Sequence, residues 1–284
     1  MFFPKSRSDH PFAQNEFFGL LIEIGRGGVV CECTQASQTP TCWMGSGARS
    51  TLRSMNVGSL RVLAVQEVDL APGLRHVEIY TAGGLVTFLW HGSPDARNVV
   101  LMGGGAMGGL LGPANGFYQD LGVSLTADTA ADIAVIRVGY RRPNDLPSCI
   151  GDMAAAGMLA ERNGAGNFIT VGHSFGGAVA VGAALEPSPI AESVVGVLTL
   201  ATQSAGCENV AELRGRPFLL FHGDSDEILP AWSSEVVKDL AGRHADLRIL
   251  AGAGHLLNEH GAGEVLRSSI PPWIRETFAQ GKHR

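Results

Sequence analysis

The chain has 284 residues, a formal net charge of -6, 45% hydrophobic residues and 17% charged ones. That length and apolar content suit one large globular domain, or a domain plus an extension. Lysine occurs only at Lys5, Lys238 and Lys282 and the arginines are scattered, so no basic stripe exists for nucleic acid or an anionic membrane. No apolar run approaches the roughly 20 residues that span a bilayer. "FFGLLIEIG" is short and carries Glu23, and the N-terminus lacks a signal-peptide core. A soluble, cytoplasmic protein is expected, with no membrane and no nucleic acid among its partners. The cysteines, at 31, 33, 42, 149 and 207, are odd in number and irregular in spacing, which reads as reduced thiols. Cys31-Glu-Cys33 with Cys42 has no nearby histidine and no Cys-x-x-Cys, so no metal is expected there.

In chain order, residues 1–58 come first and fit no regular rhythm. "TQASQTPTCWMGSGARS" reads as loop. This segment is an N-terminal extension: a flexible arm, an added edge element or a cover over a site. Residues 59–284 form the main domain. Strands are predicted at 60–69, 75–81, 85–91, 98–102, 133–139, 167–172, 195–202, 217–222 and 246–251. Several are unbroken Val/Ile/Leu runs, the pattern of strands buried on both faces. The first three follow one another through short turns ("APG", "AGG"), so the leading edge is expected to be antiparallel. Helices are predicted at about 114–128, 149–163, 174–186, 230–242 and 263–279. Pro271 and Pro272 suggest that the last begins near Trp273, and Asp152 reads as a helix N-terminal charge. The alternation implies an α/β fold, a mostly parallel sheet with helices on both faces.

One stretch, "FITVGHSFGGAVAVGAAL" at 168–185, crowds glycines around a serine where a strand hands over to a helix. Gly172-His173-Ser174-Phe175-Gly176 fits G-x-S-x-G. A serine on such a turn presents its hydroxyl above the sheet edge, and the glycines two before and two after leave room for neighbouring backbone. The following helix aims its N-terminus at developing negative charge. Ser174 is therefore the candidate nucleophile. Serine needs a base, and the base needs an orienting acid. "HGDSDEILP" places Asp224 and Asp226 after one later strand, and "GAGH" places His255 after the next. Asp226 is preferred as the acid, with Asp224 stabilising the turn. His255 is preferred as the base, with His260 the runner-up. His244 precedes its strand, His173 reads as a packing residue, and His222 as a core neighbour at a strand end. His10, His76, His91 and His283 fall far from that edge.

An oxyanion needs two backbone N–H donors. Phe175 supplies one, and the glycine loop Met102-Gly103-Gly104-Gly105-Ala106-Met107-Gly108-Gly109 supplies the other, at Gly104 or, next, Gly105. No Gly-Lys-Ser/Thr follows, so this loop is not a P-loop.

The "VVLMGGG", "GHSFGG", "HGDSDEILP" and "GAGH" segments together resemble the α/β-hydrolase fold superfamily, and within it compact, dienelactone-hydrolase-like serine esterases. The resemblance covers about residues 75–284. It implies an eight-stranded, mostly parallel sheet, a Ser174–Asp226–His255 triad and no cofactor. Dienelactone hydrolases proper have a cysteine at the nucleophile position; Ser174 points to esters instead. Many members have His-Gly where this chain has Met102-Gly103. The "QSAGCENVAELRGR" connection is too short for an inserted cap domain, so any cover must come from residues 1–58 or from loop 106–120. That loop offers Met107, Leu110 and Leu111, which with Gly105 are candidates for a substrate pocket. Phe117 and Tyr118 either line the pocket or pack the first crossover helix. Arg141-Arg142 suits a surface ion pair better than a substrate carboxylate. The expected activity is hydrolysis of small carboxylic esters with short to medium acyl chains. A thioesterase, lactonase or peptidase with the same residues is the alternative, as is a non-catalytic binding protein on this fold. The sequence leaves the oligomeric state open.

Overall fold

The computed structural model describes residues 21–25, 28–32, 48–51, 55–57, 60–128, 130 and 132–281. The chain divides into two compact units, Met1–Met44 and Gly45–Arg284. In the first, β1 (Leu21–Gly25) and β2 (Gly28–Glu32) pair as an antiparallel hairpin. Cys33 and Cys42 lie outside the described residues, as does most of the segment read as a cover or edge element.

The second unit is built on one sheet. Its strands are β3 (Ala48–Thr51), β4 (Met55–Val57), β5 (Leu60–Ala71), β6 (Leu74–Thr81), β7 (Gly84–His91), β8 (Asn98–Gly103), β9 (Ile133–Gly139), β10 (Asn167–His173), β11 (Val194–Leu200), β12 (Phe218–Gly223) and β13 (Ala245–Leu250). Their order is β13-β12-β11-β10-β8-β9-β7-β6-β5-β3, with β4 also pairing β5. The run β8 to β13 is parallel throughout, and β5, β6 and β7 are antiparallel to their neighbours. The eight strands expected from the resemblance are β6 to β13; β5, β3 and β4 extend the sheet beyond them to eleven. That extension uses residues 48–57, which the sequence pattern left as loop.

The helices are α1 (Pro113–Thr126), α2 (Leu146–Arg162), α3 (Phe175–Ala183), α4 (Trp232–Ala241) and α5 (Ala262–Gly281). Side chains alternate across each strand, and here both faces are buried. Val99 and Leu101 of β8, Phe168 of β10 and Leu220 of β12 enter one core with α2, α3 and Val237 of α4. Val100, Met102, Ile169, Val171, Leu219 and Phe221 enter the other, with α1 and α5. This is why these strands read as continuous apolar runs rather than as alternating ones. Among the described residues, no helix is long and apolar enough to cross a membrane.

The last helix starts beside the predicted 263 and not at Trp273, the later start that its prolines left open: it begins at Ala262 and runs through Pro271 and Pro272. Leu266, Ile270, Ile274 and Phe278 form a buried stripe along it. Burying each contributes about 1.5–3 kcal/mol, together enough to offset the roughly 3 kcal/mol an interior proline costs. The first crossover helix differs from its expected start at 114. Ala114, Asn115 and Gly116 have φ of 51°, 55° and 94°, so regular helix begins only at Phe117. The Ala114 N–H donates to the Leu256 carbonyl at 2.7 Å, and the Asn115 N–H to Asn258 Oδ1 at 3.0 Å. The left-handed entry thus ties α1 to the loop that carries His255.

Among the imidazoles that the fold buries are His91 and His173. Burial pushes His91 down to about 4, helped by the nearby Arg137, and burial pushes His173 down to about 4 as well, against an ordinary 6.5. An unfolded chain takes up these protons below about pH 6.5, whereas the folded chain resists until about 4. Their contribution to stability is therefore full above pH 6.5 and lost as pH falls through that window. Denaturant unfolding at graded pH is expected to show this loss, and His91→Leu to reduce its slope by up to about 1.4 kcal/mol per pH unit.

Candidate active site

All the parallel strands end on one edge, and the loops that leave them build the site. At the end of β10, Ser174 adopts φ 58°, ψ -122°, a conformation that L-residues rarely occupy. Its N–H donates to the Leu200 carbonyl of β11 at 2.8 Å, and its carbonyl accepts from Gly177 N–H at 2.9 Å. Space decides the flanking residues. A Cβ on Gly172 would lie 1.8 Å from the Gly176 carbonyl oxygen, and one on Gly176 would lie 2.3 Å from that of Gly104. The turn therefore admits glycine alone at both positions, which is the steric reason behind G-x-S-x-G. Phe175 opens α3, so its N–H faces outward with no intrahelical acceptor.

Two further loops converge on the serine. His255, five residues past β13, places Nε2 3.0 Å from Ser174 Oγ. Its Nδ1 lies 2.7 Å from Asp226 Oδ2. The other oxygen of Asp226 accepts N–H bonds from Ile228 and Leu229, each at 2.8 Å. Burial raises the Asp226 carboxyl, but the Leu229 N–H, His255 and the Ile228 N–H outweigh it and leave the group below the usual carboxylate range. A carboxylate ionised through the neutral range, hydrogen-bonded to Nδ1, keeps the proton there and leaves Nε2 free to accept one. Asp224 instead accepts from the Gly252 N–H at 2.7 Å, joining the β12 and β13 loops. His260 packs on Gly252, and His244 sits against Gly215 before β13.

His173 does more than pack. Its Nε2 lies 3.0 Å from the His255 carbonyl, and the two rings are 4.9 Å apart. As a neutral ring facing a carbonyl, it donates from Nε2 and fixes the backbone that bears His255. His222 is also more than a core neighbour: its Nε2 approaches the Asp226 carboxylate at 3.2 Å. The pattern His-Gly-x-x-Asp carried that signal, because a histidine closing a strand four residues before the acid can turn back to it.

The glycine loop after β8 lies beside the serine. A Cβ on Gly105 would stand 3.7 Å from Ser174 Cβ. Two buried tyrosines hold the carbonyls at the loop's base: the Tyr118 hydroxyl donates to the Gly103 carbonyl at 2.8 Å, and the Tyr140 hydroxyl to the Gly104 carbonyl at 3.3 Å. Arg137 donates to the Leu110 carbonyl at 3.2 Å and anchors the far end. Phe117 and Tyr118 are wholly buried core residues. Leu110 leans over Gly139 of β9, Met107 is 91% exposed, and Leu111 lines a cleft of about 400 Å³ with Pro113, Leu256 and Asn258. A second cleft of about 350 Å³ lies against His255 and is lined by Ile228, Leu256, Glu227 and Glu259.

Asp152 is not an N-terminal helix charge. Asp145 caps α2, accepting from Ser148 N–H at 3.0 Å, while Asp152 lies about two turns further in, fully buried. Its carboxylate takes the Arg141 N–H at 2.8 Å and pairs with the Arg141 guanidinium. Asp152→Ala is expected to destabilise the fold by about 3–5 kcal/mol in chemical denaturation, because it leaves Arg141 buried without its counter-charge.

No family model matches the chain, and no curated protein matches it by sequence. Solved structures do match. The chain is similar to Est1E from Butyrivibrio proteoclasticus (15% identity, 72% of this chain and 99% of the other, TM-score 0.57). It is similar to dienelactone hydrolase from Anabaena variabilis (17% identity, 72% and 98%, TM-score 0.59). It is also similar to a cold-adapted esterase from an Arctic intertidal metagenomic library (14% identity, 76% and 96%, TM-score 0.54). At these identities the likeness is one of fold: the chain has the α/β-hydrolase fold.

Proposed function

We propose that this α/β-hydrolase-fold chain is a serine hydrolase acting on uncharged carboxylic esters of short to medium acyl chain. The observation that carries the reading is the hydrogen-bonded relay Ser174–His255–Asp226, assembled from three separate loops around a serine in a strained turn. In the proposed reaction, Ser174 Oγ attacks the substrate carbonyl while His255 Nε2 takes its proton. Asp226 holds the imidazole tautomer and faces the imidazolium that forms. The N–H groups of Phe175 and Gly104 receive the oxyanion. His255 then protonates the leaving alcohol, and water, deprotonated by the same imidazole, releases the acyl group from Ser174.

The clefts support the substrate class. They are small, open and partly apolar, through Leu111, Ile228 and Leu256. Glu227 and Glu259 beside His255 oppose a carboxylate-bearing substrate, and Arg141, committed to Asp152, offers such a group no partner. p-Nitrophenyl esters from acetate to palmitate, set beside thioester, lactone and aminopeptidase substrates, test the reading. The expected optimum lies among the shorter esters. A preference for thioesters, lactones or peptides would replace the ester reading, and inactivity on the whole panel would favour a binding protein.

A further inference from the structure

We propose that His222 is a positioning residue for Asp226, donating Nε2–H to the same carboxylate oxygen that receives His255 and so moderating the charge that His255 meets. The inference rests on the relay described above and goes one residue deeper. His222 is the penultimate residue of β12, is fully buried and, among the described residues, approaches three polar groups. Its Nε2 lies 2.8 Å from the Leu229 carbonyl and 3.2 Å from Asp226 Oδ2. Its Nδ1 lies 2.6 Å from Ser234 Oγ.

The partners assign the proton. A carbonyl and a carboxylate can only accept, so Nε2 must carry hydrogen. A hydroxyl can donate, so Nδ1 accepts from Ser234. A neutral His222 has one Nε2–H for two acceptors: the Leu229 carbonyl at 2.8 Å takes it and the Asp226 carboxylate at 3.2 Å shares it, so the chain reads Ser234 to His222 to Asp226, with His255 donating to Asp226 from the other side. Asp226 Oδ2 is thus shared between two imidazoles, one fully buried and one at the cleft. A donor on the buried side fixes the carboxylate plane, which Ile228 and Leu229 hold only through Oδ1. It also draws charge from Oδ2, so the His255 imidazolium is stabilised less than an unshared carboxylate would stabilise it. The titratable groups around this network are Asp226, His255, His173 from β10, and Glu227 and Glu259 in the cleft.

The test compares His222→Leu, His222→Gln and Ser234→Ala with wild type on the preferred p-nitrophenyl ester. Glutamine can place its amide N–H where Nε2 stands. His222→Leu is expected to lower kcat about tenfold or more with little change in KM, the scale seen when partners that orient a functional histidine are removed. The acid limb of kcat/KM is expected to move up by roughly half a pH unit, since the His255 imidazolium then meets an unshared carboxylate oxygen. His222→Gln should return both values toward wild type, and Ser234→Ala should give a smaller shift in the same direction. NMR titration of the His255 ring in the folded variants reads the same upward shift without turnover. A rate loss with an unmoved limb and an unmoved His255 titration would overturn the proposal and leave His222 a packing residue. A Ser174→Ala protein as active as wild type would instead overturn the hydrolase reading, whatever His222 does.

Discussion

Ser174→Ala is expected to lower kcat by at least about 10⁴-fold on any ester the wild type cleaves, while the protein stays folded. The size follows from the chemistry. The other groups, namely His255, Asp226 and the backbone donors, act through a nucleophile, and without one they leave only the residual rate that binding and oxyanion stabilisation supply. Stability should barely move. Among the described residues the hydroxyl's side-chain partner is His255, which remains 13% exposed and can turn to water. Alanine keeps the same strained φ of 58°, so no strain is relieved. Ser174→Gly separates the two effects: it is expected to be equally inactive yet more stable by about 1 kcal/mol, since glycine alone occupies that backbone region freely. Kinetics and denaturant midpoints on both variants check this. A Ser174→Ala enzyme retaining a tenth of wild-type kcat would contradict it.

Among the described glycines, Gly172→Ala is expected to be the most damaging single added methyl. Its φ is ordinary, so conformational freedom is not the issue. The barrier is the Gly176 carbonyl, 1.8 Å from where the methyl would sit. That oxygen belongs to the first turn of α3 and cannot rotate aside like a side chain. Either α3 lifts from the sheet, carrying Phe175 N–H with it, or β10 shifts against β8 and β11. Overpacking a core costs about 1–3 kcal/mol when side chains can adjust, and here only backbone can. The expected outcome is a loss above that range in chemical denaturation, together with loss of activity. Gly176→Ala should act similarly, by pushing its methyl into the Gly103–Gly104 backbone. A Gly172→Ala protein within 1 kcal/mol of wild type by that measure, or still active, would show that the turn is looser than this packing allows.

What the sequence made legible was set by local pattern. β8, β10 and β12 were readable because strands buried on both faces leave unbroken apolar runs. The order Ser174, Asp226, His255 was readable because parallel strands deliver their exits to one edge, so each residue following its own strand arrives beside the others. The residues that hold these groups in place were not readable. The bond from Tyr118 to the Gly103 carbonyl spans 15 positions and the approach of His173 to the His255 carbonyl spans 82, and neither leaves a periodic trace. Asp152 looked like a helix-end charge because its partner Arg141 lies before the helix rather than on it. The prolines of α5 looked like a boundary because local propensity says nothing of the stripe from Leu266 to Phe278 that holds the helix together. His222 was passed over because a histidine at a strand end is most often packed, although its place four residues before the acid lets it turn back to Asp226.

The central claim, that Ser174 is an activated nucleophile, is tested most directly by covalent capture. Folded protein is treated with a fluorophosphonate, digested and read by mass spectrometry. The expected result is one phosphonyl adduct per chain, on the peptide bearing Ser174, absent from Ser174→Ala and from protein denatured before treatment. Folded wild type that stays unmodified, or carries its adduct on another residue, would contradict it.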